Sequence, residues 1–255
     1  MNESLPELSQ PAEQPPTAPA GGPGAFLRRH KGKIILLLLT GWLVAEAINL
    51  PFGPIAELKS RNPSETEFMR IHAALAKQER KPFHRIQEWV SLKDMPKHVV
   101  DAVVVAEDGM FWQHKGFDWY ELKESLERNF SEGRAARGGS TITQQLVKNL
   151  YLSPSKNPIR KVREWILTLY MEGVLSKERI LELYLNLIEL GRGIYGIQAA
   201  SWKYFGKDVS ELSRYEAALI ASVIPNPRRY RPDETSRYVL RRSATILERM
   251  EARGM

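Results

Sequence analysis

The strongest constraint on the fold is the helical spacing of apolar residues, which dominates the chain from Pro82 to its end. Apolar side chains that recur every three or four residues lie on one face of a helix. The clearest stripe consists of Val162, Trp165, Ile166, Leu169 and Tyr170. Few segments show the two-residue alternation of a strand. The pattern therefore predicts a mainly α fold around one sizeable core.

Capping residues indicate where several helices begin. Asp118 and Ser213 are each followed three residues later by a glutamate, the spacing of a capping box. Ser140 and Ser176 precede further apolar-periodic segments and are predicted to cap them. A last helix is predicted over residues 234–251.

The N-terminal residues differ in composition from the rest of the chain. Residues 1–24 are rich in Pro, Gly, Ser and Glu and cannot bury enough apolar surface to offset the entropy of ordering. With the basic cluster at 28–33 they form a predicted disordered tail, residues 1–33. The apolar run 34–50 follows. It lies at the short end of the roughly 17–25 residues that span a bilayer, and Glu46 interrupts it.

Three interpretations of this apolar run remain open. It is a single transmembrane anchor, a cleaved signal peptide with a small-x-small site at 45–47, or a buried core helix. The anchor is favoured because a long leader before the basic cluster is unusual for a signal peptide. The preceding cations then place the N-terminus in the cytoplasm and the rest outside. Residues 51–81, interrupted by prolines, are predicted to form a juxtamembrane connector without regular structure.

The overall charge favours an anionic partner. The formal net charge is +7, with 37 Lys+Arg against 30 Asp+Glu. Nucleic acid, a lipid surface and a phosphorylated substrate all fit, and composition does not choose among them. The chain has no cysteine, which excludes disulfides and thiolate metal sites. No metal-ligand motif is predicted.

An acidic pair, Glu107 and Asp108, ends a valine-rich segment and precedes a glycine- and aromatic-containing loop. Apolar neighbours raise the pKa of a carboxyl group towards the range useful for proton transfer. The pair is therefore a candidate for the lip of a catalytic cleft. A solvated helix end is the alternative.

A polar segment from Gly138 to Asn149 begins with two glycines, which permit close approach of a ligand to the backbone. The helix N-terminus after them is expected to offer free N–H groups to a phosphate. Thr141, Gln145 and Lys148 share one polar face of that helix. A plain solvent-facing stripe is the alternative.

A third segment places Arg160 and Lys161 close to Glu164 in the sequence. Two hypotheses compete: a cationic site for a leaving group with a carboxylate that orients it, or an ordinary surface ion pair.

Together these segments resemble the peptidoglycan glycosyltransferase family, the lysozyme-like polymerases of the bacterial wall. The matching motifs, in family order, are Glu107-Asp108-x-x-Phe111-x-x-His114-x-Gly116, Gly138-Gly139-Ser140-Thr141-Ile142-Thr143-Gln144-Gln145, Arg160-Lys161-x-x-Glu164, Ser176-Lys177-x-x-Ile180-Leu181-Glu182-x-Tyr184-Leu185-Asn186 and Gly193-x-x-Gly196-Ile197-x-Ala199-Ala200. The resemblance covers about residues 85–230 and implies a lysozyme-like glycosyltransferase domain over 82–255. The end at Met255 resembles the monofunctional biosynthetic members, which lack a transpeptidase domain.

The resemblance also implies a mechanism. Glu107 is expected to deprotonate the 4-hydroxyl of the acceptor, lipid II, which then attacks the growing strand on its undecaprenyl pyrophosphate carrier with inversion. Lys148, Lys161 and Arg160 are expected to contact the pyrophosphate. Glu164 is the second family carboxylate and is expected to be catalytic, orienting a lysine, the pyrophosphate or a divalent ion. The remaining substrate-binding residues implied are Asp108, Ser140, Thr141, Gln144 and Gln145.

The implied partners are lipid II, the nascent strand, the membrane and other wall-synthesis proteins, with no nucleic acid. No cofactor is required, although a divalent cation, Mg or Mn, near Glu164 stays open. The implied location is the bacterial cytoplasmic membrane, spanned once, with the catalytic domain outside. The alternatives are a glycan-cleaving hydrolase or lytic transglycosylase of the same fold, or a non-enzymatic scaffold of the wall machinery.

Overall fold

The computed structural model describes residues 23–132, 139–155, 157–234 and 236–255. Helices make up most of these residues, which confirms the predicted mainly α fold. Residues 1–22 of the predicted disordered tail and Gly138 of the polar segment lie outside the described residues. The prediction of disorder is wrong for the rest of the tail, 23–33, which is helical because the helix that contains the apolar run begins at Pro23. The chain divides into two compact units, one ending at Ile48 and the other running from Asn49 to Met255.

The first unit contains helix α1, Pro23–Ile48. Many large apolar side chains in the predicted anchor are exposed, among them Leu36, Leu37 and Leu38. The helix ends at Ile48 rather than Leu50, and Leu50 is buried in the core of the second unit. No helix within the described ranges combines the length and the apolar character that a membrane crossing needs.

The second unit contains the remaining helices and a small sheet. The helices are α2 Phe52–Glu57, α3 Glu67–Gln78, α4 Lys97–Glu107, α5 Trp119–Glu132, α6 Ile142–Tyr151, α7 Pro158–Val174, α8 Lys177–Leu187, α9 Ile197–Phe205, α10 Arg214–Val223 and α11 Arg237–Ala252. Short 3-10 helices occur at Leu92–Asp94 and Val209–Glu211. The strands β1 Ile86–Gln87, β2 Glu189–Gly191 and β3 Ile194–Tyr195 form a sheet of order β1-β3-β2. Strand β3 runs parallel to β1 and antiparallel to β2.

Two groups of helices surround the core. Helices α4, α10 and α11 pack together, and α6 packs against α7 and α8. Apolar side chains at their contacts are fully buried, for example Val103, Leu146 and Leu183, whereas Trp165 and Leu169 of the predicted α7 stripe are exposed. Burial of each such side chain contributes about 1.5–3 kcal/mol. These contacts fix the C-terminus of α4 beside α6 and α11, where the polar residues described below meet.

Three of the predicted caps are confirmed. The side chains of Asp118, Ser176 and Ser213 each accept a hydrogen bond from a backbone N–H in the following turn, at 2.9, 3.2 and 3.2 Å. The predicted cap at Ser140 is wrong by one residue. Thr141 caps α6 instead, because its side chain and that of Gln144 form a reciprocal capping box.

The prediction that residues 51–81 lack regular structure is wrong. Helix α2 contains Pro54 in its first turn, where a missing N–H has no intrahelical partner to lose. Helix α3 is capped by Thr66, whose hydroxyl accepts a bond from the backbone N–H of Met69 at 3.1 Å. Ile55 and Met69 are buried in the core. This segment is therefore part of the second compact unit.

Candidate active site

Glu107 is the last residue of α4, and the fold buries it at that position. The valine-rich face of α4 packs into the core, with Val99, Val103 and Val104 almost inaccessible. The backbone turns sharply at Asp108, with φ −159° and ψ 76°, and ends the helix. The Glu107 side chain is consequently only 9% exposed. The alternative of a solvated helix end is wrong.

Both carboxylate oxygens of Glu107 accept hydrogen bonds within the protein. Gln145 Nε2 donates to Oε2 at 2.9 Å, and Arg242 Nη2 donates to Oε1 at 3.0 Å. The buried Tyr184 hydroxyl donates to Gln145 Oε1 at 2.8 Å. Because that amide oxygen is occupied, the amide nitrogen is directed to Glu107. The carboxylate is therefore held by residues from α6, α8 and α11.

Burial raises the pKa of Glu107 above the usual value of a glutamate. The hydrogen bond from Gln145 and the positive charges of Arg242 and Lys148 act in the opposite direction. A carboxylate balanced in this way has its pKa nearer to neutral pH, where general base catalysis is most effective.

Asp108 is buried and bonds to neighbouring protein groups. Its Oδ2 accepts from the backbone N–H of Ile142, the first residue of α6, at 2.9 Å. Its Oδ1 accepts from His114 Nε2 at 2.9 Å, and His114 Nδ1 accepts from the Gly116 N–H at 3.1 Å. These bonds connect α4, the following loop and α6. The predicted contact of Asp108 with substrate stays a prediction.

The N-terminus of α6 does not offer the free N–H groups that the sequence suggested. The N–H groups of Thr141, Ile142 and Gln144 donate to side chains of the protein, and Asp108 already supplies a negative charge there. Thr141 also donates its hydroxyl to the Gly116 carbonyl at 2.7 Å. The expected phosphate site at this helix end is therefore wrong.

Lys148 follows Gln145 by one helical turn, and both line one cavity, as the predicted polar face requires. Thr141, predicted on the same face, is instead the buried N-cap of α6. Burial lowers the pKa of Lys148 below the usual value of a lysine. Glu164 and Glu107 counteract that shift, whereas Arg160 and Lys161 reinforce it. Lys148 is thus electrostatically coupled to the Glu107 carboxylate and to the third predicted segment.

In that third segment Glu164 pairs with two cations. Arg160 Nη1 donates to Glu164 Oε2 at 2.6 Å, and Lys161 Nζ donates to Oε1. The Glu164 side chain is 3% exposed, so this is not an ordinary surface ion pair. The carboxylate orients both cations, as one of the two hypotheses predicted.

The divalent cation near Glu164 stays a prediction. Across the part of the chain that the structure describes, no group of three or more His, Asp or Glu side chains could hold a metal ion.

Three adjoining cavities connect these residues. Glu107 lines a cavity of about 690 Å³ beside Trp119 and a second of about 580 Å³ beside Ser140 and Gln145. Gln145 also lines a third, of about 250 Å³, which contains Lys148. Glu107 lines both of the first two cavities, and Gln145 and Pro225 line both of the last two, so the cavities of Glu107 and Lys148 are neighbours.

The sequence reasoning missed two residues that contact this site. Tyr184 belongs to one of the matched motifs, but no role at the site was predicted for it. Arg242 lies 135 residues from Glu107 and is one of many arginines in the chain. No local signal at Arg242 would have identified it.

Comparison with known proteins agrees with this geometry. The model of the family described as Transglycosylase matches residues 73–251. Similar proteins described as biosynthetic peptidoglycan transglycosylases occur in several bacteria. That of Azoarcus sp. (strain BH72) is 45% identical over 197 residues, covering 77% of this chain and 81% of the relative. That of Aromatoleum aromaticum is 47% identical over 202 residues, covering 79% and 87%. That of Bdellovibrio bacteriovorus is 45% identical over 229 residues, covering 88% and 86%.

Proposed function

Since the chain belongs to the transglycosylase family, we propose that it is a peptidoglycan glycosyltransferase that transfers the growing strand from undecaprenyl pyrophosphate to lipid II. The observation that carries the proposal is a nearly buried carboxylate, Glu107, that lines a cavity with Gln145, which also lines the neighbouring cavity of Lys148. Polymerisation by this route needs a base for a hydroxyl and cations for a departing diphosphate. The site contains both.

Glu107 acts as the general base. The 4-hydroxyl of the acceptor GlcNAc gives its proton to a carboxylate oxygen of Glu107, and the hydroxyl oxygen forms a bond to the anomeric carbon of the donor. The bond from that carbon to the diphosphate breaks, and the electron pair leaves with the undecaprenyl pyrophosphate. Attack from the opposite side inverts the anomeric centre and gives a β-1,4 link. One carboxylate activates the attacking oxygen, as in inverting glycosidases.

The diphosphate leaving group needs stabilisation of its charge rather than a proton. Lys148, Arg160 and Lys161 supply that charge in this proposal. Glu164 acts as a positioning residue, because both of its oxygens bond to Arg160 and Lys161. The loss of one preorganised donor of this type costs about 2–4 kcal/mol of barrier.

The remaining predicted substrate residues divide into two groups. Ser140 and Gln145 line the cavity next to Glu107 and are proposed to contact the donor sugars. Thr141 and Gln144 are buried in the cap of α6, and Asp108 is buried beside them. We assign these three an indirect role, in which they fix the turn that presents Ser140.

No cofactor is required by this scheme. Glu164 would be the protein ligand of a divalent cation, Mg or Mn, which would supply further positive charge for the leaving group, because Mg²⁺ commonly binds one or two carboxylates together with substrate phosphates.

The substrate is confined to a membrane, and membrane attachment of the enzyme would raise its effective concentration there. We propose that α1 attaches the protein to the bacterial cytoplasmic membrane, with the second unit on the outer side. The exposed apolar residues of α1 and the basic cluster before them support this orientation. The lysozyme-like architecture is likewise proposed from family membership.

The alternatives explain less of the site. The leaving group of a hydrolase or lytic transglycosylase is a sugar oxygen, which does not need the positive charges of Arg160 and Lys161. A non-enzymatic scaffold does not need the buried, hydrogen-bonded carboxylate of Glu107.

Incubation of the purified full-length chain with labelled lipid II tests the proposal. Gel separation should show a ladder of glycan products that muramidase digests. A parallel incubation with preformed glycan strands should leave them intact. Cleavage of those strands without polymer formation would instead support the hydrolase, and no change in either substrate would support the scaffold.

A further inference from the structure

Arg242 lies on α11 and reaches the C-terminus of α4. Its Nη2 donates to Glu107 Oε1 at 3.0 Å and to the Ala106 carbonyl at 3.3 Å. The side chain is only 17% exposed. A cation next to the last carbonyl groups of a helix interacts favourably with the helix dipole.

We propose that Arg242 is a positioning residue that holds the Glu107 carboxylate in its reactive orientation and supplies the positive charge that keeps it ionised. This inference rests on the proposed function, because it takes Glu107 as the base of the transfer reaction. Arg242 acts through Glu107, and no contact with substrate is required of it.

The first argument is geometric. Arg242 holds Oε1 from one side, and Gln145, fixed by Tyr184, holds Oε2 from the other. Rotation of the Glu107 carboxylate away from these two donors would break both hydrogen bonds. Each carboxylate oxygen can accept more than one hydrogen bond, so a substrate hydroxyl can still be bound.

The second argument concerns the type of residue. Arginine keeps its charge at any pH relevant to proteins and has a rigid planar set of donors. Arg242 Nε is buried and has no hydrogen-bond partner among the described residues. An unmet buried donor is unfavourable and calls for an explanation. The hydrogen bonds of Nη2 to Glu107 and Ala106 explain the unmet Nε, because they require the guanidinium group to lie beside the C-terminus of α4.

The residue that follows α11 also contacts the chain after Glu107. Arg253, the C-cap of α11, donates from Nη1 to the Gly109 carbonyl at 2.6 Å. A Cβ atom at Gly109 would lie 2.6 Å from Arg253 Nη2, so glycine leaves room for this arginine. Arg242 of α11 and Arg253 at its C-cap therefore contact the backbone on both sides of Glu107, at Ala106 and at Gly109.

Other charged and titratable groups surround Glu107 and enter its electrostatic balance. They are Lys148 on α6, Tyr184 on α8, Asp108, His114 and Asp118 in the loop after α4, Glu121 and Glu124 on α5, Arg241 and Arg249 on α11, and Arg253 at the C-cap of α11. Within this group, the hydrogen bond from Arg242 Nη2 to Glu107 Oε1 joins α11 directly to the carboxylate.

The pH dependence of kcat for lipid II polymerisation tests the proposal. A general base is active above its pKa and loses activity as the pH falls through it. Loss of a neighbouring positive charge raises that pKa, so Arg242→Gln should move the acidic limb to higher pH by about one unit, the lower end of the range for a close opposite charge. Arg242→Lys should keep the limb near the wild-type position but lower kcat. Arg237→Gln, an exposed arginine on the same helix, should match the wild type.

A uniform loss of activity in Arg242→Gln at every pH, with an unmoved limb, would show a purely structural role and overturn the proposal. If Arg242→Gln does not fold, the kcat of Arg242→Lys tests the proposal instead. A wild-type kcat in Arg242→Lys would exclude a role of the guanidinium group in orienting the Glu107 carboxylate. Titration of Glu107 by carbon-13 NMR in the wild type and the variants measures the coupling without turnover. It separates failure of this inference from failure of the enzyme to use lipid II.

Discussion

Replacement of Glu164 by glutamine tests whether this carboxylate orients cations or transfers protons. The amide keeps the shape and one acceptor oxygen, but it removes the negative charge between Arg160 and Lys161. A hydrogen bond to a charged group contributes about 1.5–3 kcal/mol. Water can compensate in part, since the side chains of Arg160 and Lys161 are 20% and 39% exposed. We therefore expect a cost at the lower end, which corresponds to roughly a tenfold fall in kcat/KM.

The assay is steady-state polymerisation of labelled lipid II across a range of pH, with Glu178→Gln as the matched control on an exposed part of α8. An orienting role predicts a modest loss with an unchanged pH profile. A loss of 10²–10⁴-fold, typical of a missing general acid or base, together with loss of one limb of the profile, would refute this reasoning.

Two further predictions concern Asp108 and Lys148. Asp108→Ala should lower the free energy of unfolding by about 1–3 kcal/mol, because it leaves the Ile142 N–H and the His114 ring without their acceptor. Urea denaturation measures this loss, and an unchanged unfolding midpoint would contradict the prediction. Lys148→Met should lower kcat by about 10²–10³-fold through loss of charge at the leaving group. Lys148→Arg should extend activity to higher pH, because burial lowers the pKa of the lysine, whereas arginine stays charged. If the alkaline limb of the pH profile of polymerisation does not move, the reaction does not depend on a charged Lys148.

The sequence was most informative where local rules apply. Apolar periodicity located the helices, and the side chains of Asp118, Ser176 and Ser213 marked their first turns as capping chemistry requires. The clustering of Arg160, Lys161 and Glu164 was also readable, because residues three and four apart meet on one helical face.

The sequence was least informative where contacts span long separations. Nothing near Arg242 in the chain indicates that it reaches Glu107, because only the packing of α11 against α4 brings them together. Prolines were also misleading. Pro54 suggested an irregular connector, but in the first turn of α2 it costs no intrahelical hydrogen bond. The expected phosphate site at α6 failed for a similar reason, because Asp108 from another element bonds to that helix end.

The polymerisation rate of Glu107→Gln is the most direct test of the central claim that a nearly buried carboxylate activates the acceptor. The amide can accept a hydrogen bond but cannot take the proton, so the rate should fall by at least about 10²–10⁴-fold. The thermal unfolding midpoint should remain close to that of the wild type. Glu248→Gln, an exposed glutamate on α11, should polymerise lipid II normally. A Glu107→Gln protein that forms glycan strands at the wild-type rate would contradict the account.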